Sequence, residues 1–257
     1  MTESGRTRNK KPEYLIQNGE KNSILVGQKS KPMTNQDYKN AALVALKGNW
    51  ASAVLAVVVI FLIMTPYLAA VEYPTLAGLD VATTLPSWFL PTVGCSMLYL
   101  LLFMAPVSYI GFPNACRALL ETGDDRITGN SFRFGLHSWL RNWWGYLLME
   151  IKVALWTFLF IIPGIIKSFA YALTPFLLVD CPELSALQCI KLSNKMMKGH
   201  KFDLFYLYLS FIGWMLLSIL TLGIGLLWLV PYMQTSMASF YLDVKEQYRA
   251  QLAANHQ

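Results

Sequence analysis

Between Asp203 and Asp243 the chain runs for 39 residues without a charged side chain. As helix, such a run is roughly 58 Å long, about twice the hydrocarbon core of a bilayer, so it holds two crossings and a turn. A second uncharged run separates Asp80 from Arg117. Over the 257 residues, charged side chains fall to 14%, against about 25% in soluble domains, while hydrophobic ones reach 55%. These features exclude an ordinary soluble domain. The chain reads as all-α: a polytopic membrane helix bundle.

Six apolar segments can be drawn, Trp50–Val71, Cys95–Ala115, Trp143–Ile162, Gly164–Val179, Leu204–Leu222 and Gly223–Leu242. Pro163-Gly164 is expected to break one long apolar stretch and Gly223-Ile224-Gly225 the other, since proline stops a helix and glycine permits the turn. The fourth segment is short for a full crossing. The first 48 residues are polar, so the first apolar segment is expected to insert as a signal anchor.

Orientation follows from the basic residues. The arm through Lys47, the loops holding Arg117 to Arg141 and Lys191 to Lys201, and the tail together carry 19 of the 21, and all fall on one side of the predicted bundle. Residues 72–93, on the other side, have none. By the positive-inside rule both termini are cytoplasmic. The net charge of +6 reflects this asymmetry and speaks for lipid headgroups, with no nucleic acid as partner.

The chain also repeats itself. Three times a cytoplasmic amphipathic helix leads to a basic, aromatic junction, an outward crossing, a turn, and a returning crossing with proline. The junctions are Lys47-Gly48-Asn49-Trp50, Arg141-Asn142-Trp143-Trp144 and Lys198-Gly199-His200-Lys201-Phe202. The returning crossings hold Phe112-Pro113, Thr174-Pro175-Phe176 and Val230-Pro231-Tyr232, and the last two end in Phe176-Leu-Leu-Val-Asp180 and Phe240-Tyr-Leu-Asp243. The organisation is therefore a disordered basic arm (1–33), a membrane domain (34–246, repeats about 34–124, 127–181 and 183–246) and a tail (247–257). A pseudo-threefold and a sequential bundle of three helical hairpins remain equally open.

Helix starts are marked by Thr34-x-x-Asp37 and by Asp180-x-x-Glu183, both resembling capping boxes. In the third amphipathic helix Ala186, Cys189, Ile190 and Met197 share one face and Lys191, Lys195 and Lys198 the other. In the second, Phe132, Leu136, Trp139, Leu140 and Trp143 form the stripe, with Arg133, His137 and Arg141 away from it; in the first, Tyr38, Ala41, Ala42, Ala45 and Leu46 do. Arg133, Arg141, Lys191, Lys195 and Lys198 are the candidate contacts to anionic headgroups. The plainer alternative is that these helices pack on loops.

Signatures of catalysis are missing from the sequence. No Gly-rich phosphate loop, nucleophile elbow or paired-carboxylate motif appears, and Cys95, Cys116, Cys181 and Cys189 lack metal-ligand spacing. Neither a catalytic residue, a metal nor a cofactor is assigned. The candidate intramembrane polar site is Glu150 with Lys152, and Arg117 is the candidate partner of Glu150. Charges at that depth are costly and face a bundle interior or watery cavity. They mark an ion or substrate site, or else an interhelical pair that locks packing.

At Ile162-Pro-Gly-Ile-Ile-Lys-Ser-Phe-Ala-Tyr171, Leu184-Ser-Ala-Leu187, Lys195-Met-Met-Lys-Gly-His200-Lys201 and Thr221-Leu-Gly-Ile-Gly-Leu-Leu-Trp228 the chain resembles the bacterial integral membrane proteins grouped as domain of unknown function 975. The resemblance covers roughly residues 34–245 and is densest from 160 to 243. It implies a multi-pass protein of the bacterial cytoplasmic membrane and brings no known site with it. The expected function is that of a non-enzymatic scaffold or partner-binding component, contacting lipids and either a second copy or another membrane protein. The alternative is a small transporter or lipid-handling protein using Glu150 and Lys152; a membrane-embedded enzyme is the third reading.

Overall fold

The computed structural model describes residues 33–76 and 104–254, with side chains from 33–63 and 104–254. The basic arm, the outer loop and the first half of the Cys95–Ala115 segment lie outside the described residues. Every regular element among the described residues is helical.

The first helix, α1 (Asn35–Leu46), begins as its sequence predicts: the Asp37 carboxylate accepts the Thr34 backbone N–H at 2.8 Å and the Thr34 hydroxyl at 2.7 Å. It buries Tyr38, Ala42 and Leu46, three of the five stripe residues. Gly48 at φ +90 then turns the chain by 94° into α2 (Trp50–Leu76); space around it is open, so the left-handed backbone is what requires glycine.

A π-helical turn over Val107–Gly111 runs into α3 (Phe112–Thr122), which ends at Gly123, and α4 (Ile127–Leu136) follows. The expected stripe from Phe132 to Trp143 is not one helical face. His137 is extended and Ser138 left-handed, so the helix stops and restarts as α5 (Trp139–Leu159). The buried residues of α4 are Ile127, Asn130, Ser131 and Gly135, because small side chains let it lie against the π turn, whereas Leu136 and Leu140 are exposed.

A break after α5 falls at Phe160, three residues before the expected Pro163-Gly164. Proline costs nothing in a first helical turn, where its missing N–H has no partner to lose, so Pro163 sits inside α6 (Ile161–Tyr171). Gly164 allows α5 and α6 to close on each other: a Cβ there would lie 2.6 Å from the Thr157 Cα. After a short interruption α7 (Thr174–Asp180) continues the same path, and the Ser193 hydroxyl donates to the Ala170 carbonyl at that interruption, 2.9 Å away.

The third amphipathic helix, α8 (Ala186–Met196), starts at Ser185 with Gln188 reaching back to the Ser185 N–H at 3.2 Å. Asp180-x-x-Glu183 is thus not its capping box; the Asp180 carboxylate is taken by cations from other helices. Its apolar face is buried, and Lys191 and Lys195 on it and Lys198 in the turn after it are exposed, as expected. Next come α9 (Lys201–Leu209), α10 (Ile212–Leu220) and a turn with Leu222 and Gly223 both at positive φ. The Lys39 ammonium from α1 donates to the Ser210 carbonyl at the α9–α10 break.

The last helix, α11 (Leu226–Ala254), is the mast of the structure. It packs on α1, α2, α3, α8 and α10, and its small residues Thr235, Ser236, Ala238 and Ser239 are buried. Around it Phe176 stacks on Tyr241 with centroids 4.7 Å apart, and Tyr38 meets Phe240 edge-on at 5.4 Å.

Two stretches among the described residues are long and apolar enough to cross a membrane, Ile161–Asp180 and Lys201–Leu220; the bent pair α1 and α2 makes a third when taken as one span. The fourth segment, expected to be short, thereby reaches 20 residues. Both α5, which carries Glu150 and Lys152, and α11, which turns polar from Gln234 onward, fall short of that measure. Around the far ends of α5, α6, α9 and α10 the surface is almost wholly apolar, with Phe158 at 93%, Leu220 at 81% and Leu222 at 94% exposure. A surface of this kind suits lipid tails and agrees with membrane association.

Candidate functional site

Two polar constellations lie inside the helical body. The first is built on Asp180, the last residue of α7. Arg117 from α3 donates to one of its carboxylate oxygens, and Lys245 and Tyr241 from α11 donate to the other. Tyr241 and Lys245 are four residues apart and so share a helix face. Glu121 stands 3.4 Å from the Arg117 Nε. Two cations therefore face two anions, and the Arg117, Asp180 and Lys245 side chains are only 8%, 11% and 11% exposed. Charge-balanced and closed, this cluster fastens α3 and α7 to α11.

The same cluster corrects the expected partnership of Arg117 with Glu150. Arg117 lies on the α3 face turned toward α7, where Asp180 claims it. A second correction concerns Arg141. Its guanidinium points inward and donates to the carbonyls of Leu178, Cys181 and Leu184 at 2.6 to 3.0 Å. The Leu178 and Cys181 carbonyls belong to the C-terminal end of α7, where a helix leaves acceptors unpaired and favours a cation, and that of Leu184 to the connection before α8. Arg141 is consumed there and is not a headgroup contact. Arg133 is exposed beside Phe134, its guanidinium 5.0 Å from the ring centre, and Lys191 and Lys195 on α8 and Lys198 just beyond its end are exposed.

Sequence reasoning passed over Asp180, Lys245, Tyr241 and the buried pair of Tyr38 with Asp243, whose oxygens are 2.7 Å apart. The signal was present: both repeat endings, Phe176 to Asp180 and Phe240 to Asp243, place an acid directly after an apolar run. Each of these acids accepts a tyrosine hydroxyl.

The second constellation is a cavity of about 480 Å³ bounded by α3, α5, α6, α7, α9, α11 and the π turn. Its polar lining comprises Ser108, Tyr109, Glu150, Ser168, Tyr208 and Gln234. Apolar walls come from Phe169, Phe176, Met149 and Met237. Tyr109 has its hydroxyl within hydrogen-bonding reach of Glu150, and its ring lies 4.9 Å from that of Tyr146. The π turn carries Ser108 and Tyr109 into the lining; the Asn114 amide pins it by donating to the Ile110 carbonyl at 2.8 Å and the Pro175 carbonyl at 2.9 Å. Lys152, two residues beyond Glu150, is off the lining and makes no ion pair among the described residues.

Cys116, Cys181 and Cys189 are buried and form no disulfide among the described residues, and burial pushes the Cys181 thiol up to about 12, far from the reactive thiolate. No group of three His, Cys, Asp or Glu side chains converges among the described residues as a metal ion would require.

Against known families, residues 142–248 match the one described as protein of unknown function, DUF975. It is the family that the sequence motifs resemble. The DUF975 match starts at Asn142 and so takes in most of α5 and all of α6 to α10, with Glu150, Asp180 and Lys245 inside it; the resemblance expected for residues 34–141 lies outside the matched part. No curated protein and no solved structure matches the chain.

Proposed function

We propose that this chain is a multi-pass protein of the bacterial cytoplasmic membrane that binds a small ligand or lipid in the cavity beside Glu150, in the manner of a transport or lipid-handling protein. The observation that carries this reading is the placement of Glu150. A scaffold needs that acid paired and shut away, whereas it lines a cavity of about 480 Å³, within the range of small-molecule sites. An acid at this depth is costly, and a ligand that satisfies it returns that cost.

The architecture proposed around the cavity is six crossings in three hairpins, with both termini cytoplasmic. Its support is the basic side of the chain and the exposed lysine face of α8, which would rest on anionic headgroups. No catalytic step is proposed.

Native mass spectrometry of the protein released from its own membranes in mild detergent tests the reading. A retained lipid or small molecule is expected, absent from Glu150→Gln, while the Tm of that variant stays at the wild-type value. A clean apo mass for the wild type, or a retained species that Glu150→Gln leaves in place, overturns it.

A further inference from the structure

We infer that the cavity beside Glu150 is selective for an organic cation, an ammonium head carried on an apolar body; this rests on the reading that the cavity binds a ligand. Glu150 is the single charged group among the described residues of its lining, and no Lys, Arg or His lines it. The three cations of α5 and α6 are directed elsewhere, Arg141 onto the carbonyls of Leu178 and Cys181. Lys167 lies over the Trp156 ring, 4.9 Å from its centre, and Lys152 is off the lining. An anion entering here would meet one uncompensated carboxylate and no donor cation, which a low-dielectric site penalises heavily.

The remaining lining fits a cation. Tyr109, Phe169, Phe176 and Tyr208 bring four aromatic rings to the space around the carboxylate. Ring faces attract ammonium groups and accept quaternary ones that hydrogen bonds cannot hold. The methionine and proline walls supply room for the apolar body without adding charge. Two sources share this chemistry, the head of an amine-bearing phospholipid and a free amphipathic amine.

The test uses radiolabelled tetraphenylphosphonium in flow dialysis against the full chain in dodecyl maltoside, with protein-free micelles as blank. Saturable binding is expected, weakened at least tenfold in Glu150→Gln, also weakened in Tyr208→Leu, and unchanged in Lys152→Met. In lipid discs, tenfold weaker binding with phosphatidylethanolamine than with phosphatidylglycerol alone assigns the site to the lipid head; equal binding assigns it to a free amine. Equal affinity in wild type and Glu150→Gln, each with the wild-type Tm, overturns the inference. So does saturable binding of the anion anilinonaphthalene sulfonate in place of the cation. If the cation fails while a non-cationic molecule is retained in a Glu150-dependent way, cation selectivity falls and ligand binding stands; if nothing is retained at all, both fall.

Discussion

Removal of the Asp180 carboxylate strikes two buried cations at once. Asp180→Asn leaves Arg117 and Lys245 buried with 8% and 11% of their side chains exposed, and replaces one of the two acceptor oxygens, which Arg117 on one side and Lys245 with Tyr241 on the other occupy, by an amide donor. Breaking a buried ion pair from one side costs roughly 3–5 kcal/mol, because the surviving charge stays desolvated. Here two cations are orphaned and Glu121, 3.4 Å from Arg117, compensates one of them in part, so the same range holds. For a chain of this size that is a fall of about 10 °C in Tm. Tryptophan fluorescence during heating, in one detergent and at one scan rate, measures it. The argument makes a second, sharper demand. Arg117→Met, Glu121→Gln, Asp180→Leu and Lys245→Met together remove all four charges and nearly keep the volume, so the quadruple variant should be more stable than Asp180→Asn alone. A single variant within about 2 °C of wild type, or a quadruple variant no better than the single, refutes the account of this cluster as a mutual, desolvated lock.

Other perturbations address the remaining features. Gly164→Ala sets a methyl 2.3 Å from the Thr157 hydroxyl oxygen and 2.6 Å from its Cα, so α5 and α6 must part; a loss of about 1–3 kcal/mol is expected in the same thermal assay. Arg141→Lys keeps the charge and loses the planar fork that reaches three carbonyls; destabilisation of about 2–3 kcal/mol is expected, and a neutral result would show that charge alone closes α7. The Asp124 carboxyl is held well below the usual carboxylate range by hydrogen bonds from the Arg126 side chain and then from Asn130. A depressed folded-state pKa contributes stability that is fully present above about pH 5 and drains away as pH falls through the unfolded value, about 4, toward the depressed folded one. Amide protection at the start of α4, corrected for intrinsic exchange, should therefore fall between pH 5 and 3 in the wild type and stay flat in Asp124→Asn.

Local spacing made some of this legible in advance. The Thr34–Asp37 box, the lysine face of α8 and the turn at Gly223 all depend on residues a few positions apart, and each stands as read. Glu150 was legible for another reason, since an acid within an apolar helix needs an explanation wherever it lands. Misreadings arose where a partner is remote. Nothing near Arg117 announces Asp180, 63 residues on, and nothing near Arg141 announces the carbonyls of Leu178 and Leu184. Arg117 read as a partner of Glu150 and Arg141 as a surface cation because the surroundings of both are decided by packing. The break at Phe160 was misplaced because proline was given its mid-helix meaning at a first-turn position.

The bond between Tyr38 and Asp243 joins residues 205 positions apart, and it bears on how the chain is made. Ribosomes add about 5–20 residues per second, so α1 waits roughly 10–40 s after its own synthesis before the helix that covers it exists. Throughout that interval Tyr38 has neither the Phe240 ring nor the Asp243 carboxylate, and for most of it Lys39 has no Ser210 carbonyl. Assembly of this protein is thus closed by its last helix, and a nascent chain halted before α11 holds its first helix without a berth.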